Sequence, residues 1–165
     1  MEEAHKHFTE QIKKNCDLLA YAQRRWMGSY KPFAVFDPSD LMNWEDHSRP
    51  WDIDHLAPND SFWNVRNETA YVAVCREWKD TIGNKHILSF EDNRSRQATP
   101  ANQYFHGRDL SMMLLDQHAL DSFSLDREDV KWRPERVLAF VRAARLRLIN
   151  IYTDWFKALG VDRLL

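Results

Sequence analysis

The sequence predicts a mainly α fold that holds one small β-hairpin, and three observations lead there. Apolar residues recur every three to four positions near both ends of the chain, the pattern of amphipathic helices. Trp51 to Leu56 and Lys85 to Phe90 read instead as short strands. With only four Gly and six Pro in 165 residues there is little room for long linkers, so residues 1–165 are expected to form a single domain. A composition 44% hydrophobic, with seven Trp, is that of a packed globule.

In chain order, Glu2 to Trp26 reads as one helix with Phe8, Ile12, Cys16 (or Leu19), Ala22 and Trp26 on a face and Gly28 placed to stop it. Its start within the first residues hints at a piece of a longer protein. Residues 29–50 turn irregular, with Pro32, Pro38 and Pro50, and Tyr30, Phe33, Phe36 and Trp44 expected to pin the loop to the core. Alternation of Trp51 and Ile53 gives the first strand, ended by Pro58. A helical insertion follows, with Asn67 a plausible N-cap and Tyr71, Val74, Cys75 and Trp78 on one face. The second strand leads into a helix starting at Asp92. Thr99-Pro100 and Asp109 open two further short helices, and Gly107 ends the first. Ser122 to Asp129 reads as an acidic loop. Pro134 begins the longest helix, to about Leu159, with Val137, Val141, Leu148, Tyr152, Trp155 and Leu159 on one side and Gly160 at its end.

Formal net charge is −2, which argues against coating nucleic acid by bulk positive charge but leaves room for a bound divalent ion and a local Arg cluster. Cys16 and Cys75 are the only cysteines and have no Cys-x-x-Cys spacing, so neither a four-ligand zinc site nor a disulfide is expected. No apolar stretch approaches membrane-spanning length, and a cytoplasmic location is expected.

The chemistry-bearing residues cluster in residues 50–97. The stretch opens with Trp51-Asp52-Ile53-Asp54-His55-Leu56-Ala57-Pro58, continues with Ile82-Gly83-Asn84 before Leu88, and closes with Asn93-Arg94-Ser95. Each piece alone is ordinary: a surface Asp-His pair, a Gly-Asn turn, a helix cap. Their order and spacing together resemble the HNH (His-Me finger, ββα-metal) endonucleases. The flanks, Leu18 to Arg24 and Arg147 to Trp155, are similar to the C-terminal nuclease domains of modification-sensing restriction factors of the GmrSD and SspE type.

The resemblance implies a ββα-metal core over about residues 50–97 within a helical frame, 2–26 and 100–159. It implies a DNA endonuclease, of the nicking kind, that acts on foreign or phage DNA in a restriction system. His55 would be the general base, since an imidazole titrates near neutrality. Asp54, on the opposite side of the strand, and Asn93 would hold Mg²⁺ or Mn²⁺ in a sparse oxygen site. Asn93 stands where many relatives carry a histidine, a variant that also occurs in the family. Asn84 would brace the loop between the strands, and Arg94 and Arg96 would meet flanking phosphates. Asp52 shares a face with Asp54 and is a candidate ligand or support. His47, His86 and His106 have no motif role and read as surface or satisfied core histidines.

Lys131, Arg133, Arg136, Arg142, Arg145 and Arg147 make the last helix basic against Glu135. That is either a solvated face or, if it borders the metal, a track for the DNA backbone. An N-terminal nucleotide-hydrolysing sensor domain is the expected companion on a longer chain. Two other functions stay open: an HNH-like module that grips DNA or a partner without cleaving, and an RNA or nucleotide phosphodiesterase.

Overall fold

The computed structural model describes residues 10–29, 51–63 and 70–160. Over these the chain is mostly helical, with a two-stranded antiparallel sheet. Residues 10–14 are helical, and α1 (Cys16–Ala22) and α2 (Arg24–Ser29) follow. The single helix expected across this region is broken at Asn15, whose side chain accepts from the Asp17 and Leu18 N–H groups and so caps a new helix. Gly28 lies inside α2 and does not terminate it. Residues 2–9, the pinning aromatics Tyr30, Phe33, Phe36 and Trp44, His47 and the expected N-cap Asn67 lie outside the described residues.

β1 (Trp51–His55) pairs with β2 (Lys85–Ser89) in a register that sets Asp54 opposite His86 and Ile53 opposite Ile87. A 3-10 turn at Asn59–Phe62, helix α3 (Ala70–Lys79) and a second 3-10 turn at Ile82–Asn84 connect them. Both faces of β2 are covered. Leu88 joins an apolar cluster with Phe105 and Phe140, and Ile87 joins another with Leu19, Trp51 and Leu148. The open edge of β2 is closed by side chains: Gln23 Oε1 accepts from the Ile87 N–H at 2.9 Å, and Trp26 Nε1 donates to the Ile87 carbonyl at 3.0 Å.

Helix α4 (Phe90–Arg96) begins directly after β2, two residues earlier than expected, because Ser89 caps it by accepting from the Asp92 N–H. Then come α5 (Ala101–Tyr104), a 3-10 turn at Leu110–Met113, α6 (Gln117–Phe123), α7 (Arg127–Trp132) and α8 (Pro134–Ala158). The expected acidic loop at 122–129 is largely helical. Asp126 caps α7 by accepting from the Asp129 N–H, and Asp129 reciprocates on the Asp126 N–H. Of its acidic residues, Asp126 and Asp129 are caps, and Glu128 pairs with Lys131.

α8 is 25 residues long, about 37 Å by helical rise. Pro134 starts it, and Gly160, at φ 70°, follows its end. Val137, Phe140, Val141, Ala144, Leu148 and Ile151 are buried, whereas Leu159, expected on that face, is exposed. α8 packs against α1, α3, α6, α7 and the Ile82–Asn84 turn, so it supports the hairpin from behind. Among the described residues no helix is long and apolar enough to cross a membrane.

Candidate active site

The side chains of β1 alternate, and this divides the motif between two faces. Asp52 and Asp54 turn toward α4. Asn93 and Arg96, three residues apart on that helix, meet them in matching order: Asn93 Nδ2 donates to Asp52 Oδ2 at 2.7 Å, and Arg96 Nη1 donates to Asp54 Oδ2. Asn93 therefore stands against Asp52, not against the Asp54 carboxylate with which the sequence paired it.

Arg96 does not fill the role expected of it. Its side chain is wholly enclosed, and besides Asp54 it donates to the His55 carbonyl at 2.5 Å and the Leu56 carbonyl at 2.6 Å. Tyr104 and Phe105 stack their rings on its guanidinium. A group so committed offers nothing to a flanking phosphate. Arg94, also expected at phosphates, is exposed.

His86, opposite Asp54, is fully buried with its ring edge-on to Phe105. Its Nε2 lies 3.0 Å from Arg96 Nη1 and 3.6 Å from Asp54 Oδ2, and its Nδ1 has no hydrogen-bond partner. Burial pushes the His86 pKa down to about 4, and the Arg96 charge adds to that. For Asp54, burial favours the neutral acid, but the neighbouring His86 and Arg96 outweigh it and hold the carboxyl below its ordinary value. Asp54 is thus an anion at neutral pH and keeps 22% of its side chain exposed.

His55 lies on the other face. Its Nε2 is 3.1 Å from Asp80 Oδ1, and a carboxylate only accepts, so Nε2–H donates and Nδ1 keeps the lone pair. Burial lowers the His55 pKa; Asp80 offsets part of this, while Lys85 adds to it. The ring is neutral at neutral pH. Asn84 is fully buried, and it locks the chain just beyond. Its carbonyl accepts from the Leu56 N–H at 2.7 Å, its Oδ1 from the Ala57 N–H at 2.9 Å, and its Nδ2 donates to the Lys79 carbonyl at 2.8 Å. The backbone at 55–57 is therefore gripped twice, its N–H groups by Asn84 and its carbonyls by Arg96.

No protein-family model, curated protein or solved structure matches the chain.

Asp80 and the buried His86 and Arg147 are the residues that sequence reading misses as parts of this region, and Arg96, expected at phosphates, belongs to it in another role. Asp80 directly follows Lys79 and carries no motif signal, and its 25-residue separation from His55 closes only in the fold. Of the basic residues on and before α8, Arg142 and Arg145 are exposed, Arg133 and Arg136 bond Asp129, and Arg147 is buried, so the row is not one continuous basic face. His106 is exposed.

As to a metal, no three His, Cys, Asp or Glu side chains converge among the described residues. The donors that share the α4 side of the hairpin are the Asp52 and Asp54 carboxylates and the Asn93 amide. An all-oxygen set with few protein ligands fits a hard divalent ion that retains water.

Proposed function

We infer that the chain is a metal-dependent DNA endonuclease of the HNH, ββα-metal kind, which nicks by hydrolysing phosphodiester bonds. One observation carries the reading: the motif residues assemble on one hairpin and the helix after it. Asp54 and His55 sit at the end of β1, Asn84 locks the backbone that follows, and Asn93 lies on α4 against the same strand. Neutral His55, with Nε2–H held by Asp80, keeps Nδ1 ready to take a proton from the attacking water. Asp54, supported by Asp52 and Asn93, would hold Mg²⁺ or Mn²⁺. Such an ion, when bound, supplies charge stabilisation for the phosphate and the leaving oxygen. Asn84 acts by orientation, since all its side-chain bonds go to backbone. Arg94, exposed one residue past Asn93, would meet the DNA backbone.

On the resemblance of its motif, the chain would restrict foreign or phage DNA in the cytoplasm, with selectivity supplied by an N-terminal nucleotide-hydrolysing sensor domain. A second reading, a DNA-gripping module that does not cleave, is favoured by one observation: Arg96 already neutralises Asp54. Incubation with supercoiled plasmid separates the two. Conversion to open circles with Mg²⁺ or Mn²⁺, stopped by chelator, is the expected result. A shift of the plasmid on a gel without nicking in either ion would leave only the second reading.

A further inference from the structure

We propose that Arg147, from the middle of α8, is a positioning residue for the His55 site: its guanidinium sets the Ile82–Lys85 turn and, through Asn84, the backbone that carries His55. The side chain is buried, and its hydrogen-bond acceptors are all carbonyls. The two N–H groups of Nη1 are shared among the carbonyls of Ile82 at 3.0 Å, Gly83 at 3.1 Å and Lys85 at 2.5 Å, and Nε donates to Met113 at 3.0 Å. Three carbonyls of one short turn thus converge on a single nitrogen.

Enclosing a cation without a carboxylate among these acceptors is costly, and an apolar side chain of similar volume would fill the space at less cost. What the planar guanidinium contributes is geometry, since its rigid N–H groups hold the three turn carbonyls facing one point. α8 meets the turn at a second point one helical turn earlier. A Cβ on Gly83 would lie 2.2 Å from the Ala144 carbonyl oxygen, so only glycine allows this approach. The coupling onward is short. Asn84, inside the turn, accepts from the N–H groups of Leu56 and Ala57, the two residues after His55. A turn released from Arg147 would let Asn84, and with it the base, wander by fractions of an ångström, enough to slow a reaction that depends on alignment.

The activity arm of the test rests on the nuclease reading; the exchange arm does not. Arg147→Met keeps most of the buried volume and removes the donors. Phe123→Leu, in the core between α6 and α8 and away from the turn, is the control for general loss of stability. Both are compared with the wild type at a temperature where all are folded by circular dichroism. In Arg147→Met, amide exchange at Leu56 and Ala57 should rise about tenfold or more over the control. Its kcat for plasmid nicking should fall about 100-fold while KM stays within about threefold. If Arg147→Met does not fold, Arg147→Lys carries the test, with smaller changes in the same directions. Exchange and kcat equal to those of the control would overturn the proposal and leave Arg147 a core residue only. A wild-type chain that does not nick removes the nuclease reading, and exchange at Leu56 and Ala57 still decides whether Arg147 sets the turn.

Discussion

At the scale of single residues, the two arginines beside the motif separate by burial. Arg96 completes an ion pair inside the protein, so Arg96→Ala would strand the Asp54 carboxylate and leave two backbone carbonyls without donors. The expected cost is about 3–5 kcal/mol of stability, read by denaturant unfolding. Arg94→Ala should instead stay within about 0.5 kcal/mol of wild type and lower the salt slope of DNA binding by about one unit. The reverse pattern would show that Arg96 serves the ligand and not the fold. His86 makes a pH prediction. Its folded pKa, about 4, lies below its unfolded value, so the unfolded chain binds the extra proton between those limits. Stability is fully present above about pH 6.5 and is lost as pH falls toward 4, by roughly 3 kcal/mol from this one group. His86→Gln, which keeps a polar side chain beside Arg96 and Asp54 but does not titrate, should flatten urea midpoints across that window, and an unchanged slope would refute the assignment.

At the scale of elements, the contact between α8 and the Ile82–Asn84 turn brings two backbones into direct approach behind the site. Gly83→Ala would force two backbones apart, since the new methyl meets the Ala144 carbonyl and no side chain can swing away. A loss of about 1–3 kcal/mol is expected, seen as a lower melting temperature; an unaltered melt would mean that the approach is looser than described. How much of this the sequence discloses depends on how local the cause is. Pro134 and Gly160 mark the ends of α8, and the alternation of Trp51 and Ile53 marks β1, because start, stop and period lie within the segment itself. Asn15 breaks a pattern that runs on smoothly across it, and only its capping bonds reveal the break. Asp126 and Asp129 look like a solvated loop until they are seen bonding each other's backbone. Charge on Arg96 and Arg147 suggests solvent or phosphate, yet both are buried and donate to carbonyls 34 to 65 residues away in sequence, a convergence that no local window contains. The pairing of His55 with Asp80 was hidden for the same reason, whereas the Asp54-His55, Asn84 and Asn93 pieces were legible from order and spacing.

At the scale of the whole molecule, a net charge of −2 limits how tightly the chain alone can hold DNA, because non-specific affinity comes mainly from released counterions. With Arg96 and Arg147 enclosed, still fewer cations face outward than the composition suggests. The isolated chain should therefore be a slow, sequence-indifferent nickase, since backbone contacts carry no sequence information. Mapping its cut positions on unmodified plasmid should give a broad scatter, and a single sharp recognition sequence would show that selectivity resides in this chain. The central claim, that His55 is the base of a hydrolytic site built on the hairpin, is tested most directly by single-turnover nicking with wild type and His55→Ala, alongside calorimetric Mn²⁺ binding to each. The account predicts a rate lower by about 10²–10⁴-fold in the variant, with metal affinity and fold unchanged because His55 faces away from the Asp54 side. Nicking by His55→Ala at close to the wild-type rate would contradict it.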